Sequence, residues 1–492
     1  MTDSVAPGRA GHTTTLAQAM ADAGVRFGTS GARGRVEGLS DALCYALTAA
    51  FVQYVRASPG GGDGLRVAVA GDRRASTERI MAACMGAVAD LGATPMHCGR
   101  IPTPALAAFA LREGIPGIMV TGSHIPEDRN GIKLYLASGE ILKTDEEAIS
   151  QQSVTVPETV KPVSAPVDPR ACDQYVARLV EAFGPGALSG VRVGAYGHSA
   201  VGRELTATVL QQLGASVTPL GYSESFVAVD TEAIRPEDHA LARAWASDGD
   251  YDALVTTDGD GDRPMLADAA GQWLRGDVVG ILAAADLGAS VVVTPVSSNT
   301  AAERSRLFDR VVRTRIGSPF VVQAMQEAER EDPQAVVVGY EANGGLLQHS
   351  PVALGERTLS PLPTRDALVV IIALLRQVAG TRRTLAELVA TLPPRFTASD
   401  RLKGVERERT DAWIAAQVEA SSLGATLGPS LGEVRSVDST DGIRLTYAAG
   451  EIIHVRPSGN APEVRCYCEA DTQGRATSLV AETLARLAAA LG

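Results

Sequence analysis

The chain has 492 residues, a length that predicts three or four domains at roughly 100–200 residues each. Hydrophobic residues make up 45% and charged residues 21% of the chain, a balance that excludes wholesale disorder. The formal net charge of −12 argues against nucleic acid and anionic membrane surfaces as partners.

Membrane and export signals are not apparent in the sequence. The longest uninterrupted apolar run covers residues 367–375, which is too short to span a bilayer. Residues 1–20 contain no basic patch followed by an apolar stretch, so we expect a cytoplasmic protein. The six cysteines show no CxxC spacing and the seven histidines no HxxxH or HExxH pattern. We therefore expect reduced thiols and no zinc site.

Short apolar runs followed by helical stretches recur along the chain after a loose leader with a short helix at residues 1–24. The run-and-helix pairs are 65–71 with 76–91, 191–197 with 202–213, and 291–295 with 300–308. This alternation is typical of βαβ units with a sheet buried on both faces. The last stretch differs, because strands predicted at 442–447, 451–456 and 464–470 precede a helix at 476–491, which indicates an α+β domain.

The chain is therefore predicted to hold three similar α/β domains in tandem and a C-terminal α+β domain. A proline-rich stretch at 154–169 and junctions near 268–276 and 392–396 separate them. The predicted domains are 1–155, 156–270, 271–392 and 393–492.

The first segment with chemical potential is Thr-Gly-Ser-His-Ile-Pro, which follows a predicted strand at 117–120. A serine displayed at the end of a strand, here Ser123 beside His124, is a candidate nucleophile or phosphoryl carrier. The alternative is an ordinary Ser/His surface turn.

The second segment, Asp-Gly-Asp-Gly-Asp-Arg, follows a predicted strand at 253–256. Asp258, Asp260 and Asp262 alternate with glycines, and Arg263 comes next. Glycines let the backbone curl so that the three carboxylates converge, as a hard divalent cation requires. The EF-hand spacing is absent, and magnesium is favoured if a phosphate completes the coordination shell. A structural calcium loop or a plain acidic turn is the alternative.

Three further loops carry polar side chains near predicted strand ends. Glu341 and Asn343 suit hydrogen bonding to adjacent sugar hydroxyls. The Gly-rich turn around Arg33 is not a Walker loop. A loop between two strands of the last domain could form an oxyanion cradle from Arg456, Ser458, Gly459 and Asn460. Each of these loops could also be an ordinary turn, but the loops with Ser123, the three aspartates, Glu341 and Arg456 fall one to each predicted domain. Four such loops could meet in one cleft.

These five motifs, in the order in which they occur along the chain, resemble the α-D-phosphohexomutase family, which includes phosphomannomutases, phosphoglucomutases and phosphoglucosamine mutases. The resemblance extends from about residue 25 to the C-terminus. It implies three tandem mixed-sheet α/β domains plus a C-terminal α+β domain, in a heart-shaped arrangement around a central cleft.

The resemblance also implies roles for individual residues. Ser123 matches the serine that carries the phosphoryl group, and its phosphate joins Asp258, Asp260 and Asp262 in holding Mg²⁺. Glu341 and Asn343 match the sugar-binding turn. The loop for the distal phosphate matches Arg456, Ser458, Gly459 and Asn460. Residues near the phosphoserine match Arg33, His124, Lys133 and Arg263. Asn343 and Asn460 depart from the serine and threonine common in the family, although both keep hydrogen-bonding capacity.

The implied reaction moves a phosphoryl group between O1 and O6 of a hexose through phosphoserine and a hexose 1,6-bisphosphate. Mannose phosphates are the expected substrates, with glucose phosphates as a possible second pair. Lys133 or Arg33 is the expected base for the attacking hydroxyl; for Lys133, pairing with phosphate is the alternative. Phosphoglucosamine mutase activity and a non-catalytic sugar-phosphate binding role are the alternative functions. The expected oligomer is a monomer or homodimer.

Overall fold

The structure is a computed structural model, and it describes residues 11–58, 62, 64–419, 421–458 and 462–491. The first domain contains a seven-stranded sheet and a separate two-stranded sheet in which β1 pairs with β9. Its strands are β1 Gly11–Thr15, β2 Arg26–Phe27, β3 Ala32–Arg35, β4 Arg66–Gly71, β5 Thr94–Arg100, β6 Gly117–Val120, β7 Arg129–Leu136, β8 Gly139–Glu140 and β9 Ser153–Pro157. Its helices are α1 Leu16–Asp22, α2 Asp41–Ala57, α3 Thr77–Asp90, α4 Thr103–Glu113 and α5 Lys143–Ser150.

The second domain is smaller and contains one four-stranded sheet. Its strands are β10 Arg192–His198, β11 Ser216–Tyr222, β12 Ala253–Thr257 and β13 Pro264–Ala267. Its helices are α6 Arg170–Phe183, α7 Arg203–Gln212 and α8 Pro236–Asp248.

The third domain contains a five-stranded sheet and a separate β-hairpin, β18–β19. Its strands are β14 Val291–Pro295, β15 Arg310–Thr314, β16 Val337–Tyr340, β17 Leu346–Gln348, β18 Val352–Leu354, β19 Arg357–Leu359 and β20 Leu362–Arg365. Its helices are α9 Gly276–Asp286, α10 Ala301–Ser305, α11 Ser318–Glu331, α12 Ala367–Thr381 and α13 Leu385–Val389. The long apolar run at 367–375 is the first part of α12, where it is buried in the core.

The fourth domain is a five-stranded antiparallel sheet, in the order β21-β25-β24-β23-β22, with helices beside it. Its strands are β21 Phe396–Lys403, β22 Val434–Asp438, β23 Ile443–Tyr447, β24 Ile452–Pro457 and β25 Glu463–Ala470. Its helices are α14 Arg407–Glu419, α15 Leu423–Leu427 and α16 Gln473–Leu491.

The first three domains repeat one strand order. The orders β5-β4-β6-β7, β11-β10-β12-β13 and β15-β14-β16-β17 each place three parallel strands beside one antiparallel strand. The central strands are largely apolar and, apart from the first residues of β4 and β10, fully buried, as is typical of parallel sheets. The predicted fold class, three tandem α/β domains plus an α+β domain, is confirmed. The exact boundaries at 155, 270 and 392 stay a prediction.

The same turn in each repeat carries the predicted chemistry. It leaves the third parallel strand and leads into the antiparallel strand. We call these turns the serine loop (121–128, after β6), the aspartate loop (258–263, after β12) and the sugar loop (341–345, after β16). The fourth loop, between β24 and β25, is called the phosphate loop. Carboxyl ends of parallel strands share one edge of a sheet, so the topology sets these turns at equivalent edges.

One continuous hydrophobic core joins the first three domains, since it includes buried residues from β4, β10 and β14. The fourth domain has its own core between its sheet and helix α16. It is attached to the third domain by polar contacts, including the hydrogen bond of 3.0 Å that the Thr300 N–H donates to Glu469 Oε2. Among the helices of the described residues, none is both long and apolar enough to cross a membrane.

Candidate active site

The serine loop holds Ser123 in an uncommon backbone conformation. Its φ of 54° lies in the left-handed region, which is disfavoured for a residue with a Cβ. The Ser123 N–H donates to Thr121 Oγ1 over 2.8 Å, a contact that stabilises this conformation. The Ser123 hydroxyl donates to Asp258 Oδ2 over 2.5 Å, and its Oγ lies 3.3 Å from His124 Nδ1. A buried hydroxyl of the first domain is thus aimed at the aspartate loop of the second.

The close approach of these two loops depends on a glycine. A Cβ at Gly259 would lie 2.7 Å from the carbonyl oxygen of Ser123, which is too close for any side chain. The glycine between the first two aspartates therefore permits the backbone contact between the domains.

A buried arginine fixes the backbone of the serine loop through hydrogen bonds. Arg74 follows β4, and its guanidinium donates to four main-chain carbonyl oxygens in and just beyond the loop. These acceptors are Ser123 at 3.0 Å, Ile125 at 2.5 Å, Pro126 at 2.7 Å and Arg129 at 2.9 Å. Asp72 accepts from Arg74 Nε over 3.2 Å and from the hydroxyl of Thr121 over 2.8 Å. The sequence analysis missed Asp72 and Arg74, although they follow a buried strand as the chosen motifs do.

The aspartate loop receives cations from both neighbouring domains. Asp260 Oδ2 accepts from Thr103 Oγ1 and from Lys133 Nζ, each over 2.6 Å. Asp262 Oδ2 accepts from Lys133 Nζ over 2.7 Å and from a terminal nitrogen of Arg365 over 2.8 Å. Burial lowers the pKa of Lys133, but the charges of Asp260 and Asp262 more than offset this, and its pKa is raised overall. Lys133 therefore pairs with the aspartates as a cation.

The aspartate loop also keeps free oxygen atoms where a cation could bind. Among the described residues, Asp260 Oδ1 and Asp262 Oδ1 are buried and have no hydrogen-bond partner. One carboxylate oxygen from each of the three aspartates lies within 4.8 Å of the others. Burial, followed by the charges of Asp260 and Asp262, raises the pKa of Asp258 well above its usual range. Three converging carboxylates with unsatisfied oxygens fit a hard divalent cation such as Mg²⁺.

The sugar loop is tied to the aspartate loop by one side chain. Arg365, at the end of β20, donates to Glu341 Oε2 over 2.8 Å as well as to Asp262. Asn343 Nδ2 donates to the same glutamate oxygen over 3.3 Å, and Asn343 Oδ1 accepts from the Gly345 N–H over 2.8 Å. The predicted pair Glu341 and Asn343 is therefore buried next to the metal-binding candidates. The sequence analysis missed Arg365, for which no local pattern gives a signal.

Arg33 and His124 both lie close enough to Arg263 to interact with its charge. Burial, followed by the charge of Arg263, lowers the pKa of Arg33 to about 10. The same two causes lower the pKa of His124 well below its usual range. Arg263 Nε is buried and has no hydrogen-bond partner within the part of the chain that the structure describes. Guanidinium groups held close together, with a donor to spare, are suited to a phosphate dianion.

Arg456, the predicted phosphate-binding arginine of the phosphate loop, is linked to the third domain through Asp441. Arg456 Nε forms an ion pair of 3.2 Å with Asp441 of its own domain, and Asp441 Oδ2 accepts from the Ile316 N–H over 3.0 Å. Ser458 is buried, and its N–H donates to the Glu463 carbonyl oxygen over 2.8 Å. The other two predicted members of this loop, Gly459 and Asn460, lie outside the described residues.

Comparison with known proteins agrees with this architecture. Models of the phosphoglucomutase/phosphomannomutase family match in four parts: alpha/beta/alpha domain I at residues 24–158, domain II at 173–271, domain III at 275–396 and the C-terminal domain at 399–486. A phosphomannomutase of Sinorhizobium fredii is 40% identical over 94% of this chain and 99% of its own length. A phosphoglucosamine mutase of a Parafrankia species is more distant, at 29% identity over 91% of this chain and 95% of its own.

Solved structures share the fold. The crystal structure of a putative phosphomannomutase from Thermus thermophilus superposes with a TM-score of 0.74 at 22% sequence identity, and the match covers 94% of this chain and 99% of that one. The family expected from the five motifs is therefore confirmed by sequence and by fold. The chain belongs to the phosphoglucomutase/phosphomannomutase family of phosphohexomutases.

Proposed function

We propose that this chain interconverts hexose 1-phosphates and hexose 6-phosphates through a phosphorylated Ser123, with mannose phosphates as its preferred substrates. The observation that carries the proposal is the 2.5 Å contact between Ser123 Oγ and Asp258 Oδ2. This contact lies in a cluster of three aspartates, two of which keep an oxygen without a hydrogen-bond partner among the described residues. The preference for mannose rests on the 40% identical relative that is named a phosphomannomutase.

The chemistry consists of two in-line transfers on one serine. A hydroxyl of the hexose monophosphate attacks the phosphorus of phosphoserine, a new P–O bond forms, and the bond between phosphorus and Ser123 Oγ breaks. The hydroxyl proton passes to a base, and Ser123 Oγ leaves next to Asp258. The resulting hexose 1,6-bisphosphate turns around in the cleft, and Ser123 takes back the other phosphoryl group. Positioning and charge stabilisation supply most of the catalysis in such transfers.

The remaining residues act by binding and orienting. Glu341 and Asn343 accept and donate hydrogen bonds to sugar hydroxyls, and Arg33, Arg263 and His124 face the transferring group. The non-reacting phosphate is held by the phosphate loop: Arg456, Ser458, Gly459 and Asn460. When bound to the aspartate loop, Mg²⁺ supplies positive charge next to the transferring phosphoryl group. Hexose 1,6-bisphosphate would also act as an activator that restores a phosphoryl group to Ser123.

The identity of the base stays open between Lys133 and Arg33. The double ion pair of Lys133 with Asp260 and Asp262 keeps this residue a cation, as the alternative role of pairing with phosphate requires. The lowered pKa of Arg33, about 10, leaves this group protonated near neutral pH as well. The cytoplasmic location and the monomeric or homodimeric state stay predictions.

Intact mass and a substrate panel test the proposed function together. Mass spectrometry of the purified chain is expected to show one added phosphoryl group that the variant Ser123→Ala lacks. Phosphorus NMR is expected to follow Mg²⁺-dependent conversion of mannose 1-phosphate, with slower turnover of glucose and glucosamine phosphates. A phosphorylated sample that converts none of these substrates would contradict the proposal. Faster turnover of glucosamine 6-phosphate would instead favour the phosphoglucosamine mutase alternative.

A further inference from the structure

Arg365 is the one side chain that directly joins a predicted metal ligand to a predicted sugar-binding carboxylate among the described residues. It is 2% exposed, at the end of β20. Its Nε and one terminal nitrogen donate to Asp262 Oδ2 over 3.1 and 2.8 Å. Its other terminal nitrogen donates to Glu341 Oε2 over 2.8 Å. A single guanidinium therefore spans the aspartate loop and the sugar loop.

The surroundings fix this guanidinium in place. The backbone of the sugar loop closes over the side chain, since a Cβ at Gly345 would overlap the Cγ and Cδ atoms of Arg365. The planar fork of arginine can hold two carboxylates in fixed directions, whereas the single ammonium of lysine cannot span them in the same way. Arg365 is not part of any motif that carries the family resemblance.

The contact also decides which oxygen of Asp262 is available. Arg365 and Lys133 both donate to Oδ2, while Oδ1 is buried and has no hydrogen-bond partner among the described residues; Arg263 Nε lies 3.8 Å from it. A cation at the aspartate loop would therefore bind Asp262 through Oδ1, and Arg365 would hold the same carboxylate through Oδ2. Outer partners of metal ligands typically contribute about 10–100-fold to metal affinity.

We propose that Arg365 is a positioning residue shared by the two loops, so that the charge on Glu341 influences the metal affinity of the aspartate loop. This proposal rests on the proposed function for the roles of the loops. Removing the charge of Glu341 leaves Asp262 as the one carboxylate that accepts hydrogen bonds from the guanidinium among the described residues. The position of Asp262 Oδ1 and its interaction with a bound cation then change, although Glu341 does not contact the cation.

A double-mutant cycle with a metal-binding readout tests the coupling. Mn²⁺ affinity is measured by calorimetry on the full chain, with the phosphorylation of Ser123 fixed by intact mass. The four proteins are wild type, Glu341→Gln, Arg365→Lys and the double variant. Glu341→Gln is expected to change the Mn²⁺ dissociation constant about threefold or more with Arg365 present, and much less with lysine there. Arg365→Lys alone is expected to weaken Mn²⁺ binding about tenfold.

A matched control comes from the same domain. Arg376 donates to Asp286 over 2.7 Å in a similar arginine–carboxylate pair, and Arg376→Lys is expected to leave Mn²⁺ affinity unchanged. An unchanged Mn²⁺ affinity in Glu341→Gln, or an equal change in both backgrounds, would overturn the proposal. Because Mn²⁺ affinity needs no turnover, failure of the substrate panel would refute the proposed function and leave this result readable.

Discussion

The substitution Arg74→Lys tests whether the serine loop owes its catalytic geometry to a buried guanidinium. Arg74 donates to the carbonyl oxygens of Ser123, Ile125, Pro126 and Arg129 and is held in place by Asp72. Its guanidinium also lies 3.9 Å from the ring centre of Phe226 in the second domain. Lysine keeps the positive charge but concentrates its donors on one nitrogen, so it cannot reach the same set of acceptors.

The size of the effect follows from these contacts. A hydrogen bond from a charged donor contributes roughly 1.5–3 kcal/mol, so losing two of the four weakens the loop by about 3–6 kcal/mol. Ser123 holds its positive φ only while the loop is fixed, and a displacement of about 1 Å at a reacting atom costs about 100-fold in rate. We therefore expect kcat to fall about 100-fold, or roughly 2.7 kcal/mol in activation free energy.

The assay is the steady-state conversion of mannose 1-phosphate, with kcat and KM resolved separately. KM is expected to stay within about threefold of wild type, because the sugar loop does not contact Arg74. The control is Arg79→Lys, in which an arginine 42% exposed pairs with Asp41 on the surface, and kcat should be unchanged. A wild-type kcat in Arg74→Lys would refute the reasoning. A decrease in activity no larger than the decrease in folded protein measured by circular dichroism would refute it as well.

Three further predictions concern the metal, the sugar loop and pH. Adding Mg²⁺ to chelator-treated protein should raise its melting temperature. A Mg²⁺ concentration of about 100 times the dissociation constant stabilises the folded protein by roughly 2.7 kcal/mol. An unchanged melting temperature in calorimetry would argue against a metal at the aspartate loop. Gly345→Ala should raise KM for mannose 1-phosphate about tenfold with a smaller change in kcat. The reason is that the Cβ of the new alanine would displace Arg365 from Glu341. Unchanged steady-state constants would contradict this prediction. Burial lowers the pKa of His454 to about 4, whereas the pKa of a histidine in the unfolded chain is about 6.5. As the pH falls, the unfolded chain therefore takes up this proton before the folded chain does. The free energy of unfolding is expected to decrease as the pH drops from about 6.5 to about 4. The expected loss of unfolding free energy between pH 7 and pH 5 is about 2 kcal/mol. Thermal melts should show a smaller loss in His454→Gln. Equal pH dependence of the melting temperature in both proteins would exclude His454 as the cause.

The repeated α/β domains could be predicted because their central strands are continuous apolar runs. A strand such as β4 is covered on both faces, so burial leaves an unbroken signal in the sequence. The fourth domain was predicted less completely. Strands β21 and β22 were missed because they lie at the two edges of its sheet and expose most of their side chains. Edge strands tolerate polar residues, and their composition resembles that of a loop.

Candidate residues could be chosen from the sequence where their chemistry lies in one short segment. Ser123 and the three aspartates stand in loops after apolar strands, and the structure brings the Ser123 hydroxyl into contact with Asp258. Arg365 could not be found in this way, since its partners lie 24 and 103 residues away along the chain. A long-range contact of one side chain leaves no local pattern, and only the packing of the domains reveals it.

The distribution of charge explains why the site belongs to the assembled molecule and not to any single domain. The second domain contributes three buried carboxylates, which would repel one another in a dry environment. The cations that offset them come from β7 of the first domain, as Lys133, and β20 of the third, as Arg365. Both strands lie on the antiparallel side of their sheets, beyond the turn that carries the chemical loop. Because an unpaired buried charge is strongly destabilising, the aspartate loop favours the docking of its two neighbours. The same ion pairs that hold the domains together therefore set the serine hydroxyl, the aspartates and the sugar loop next to one another.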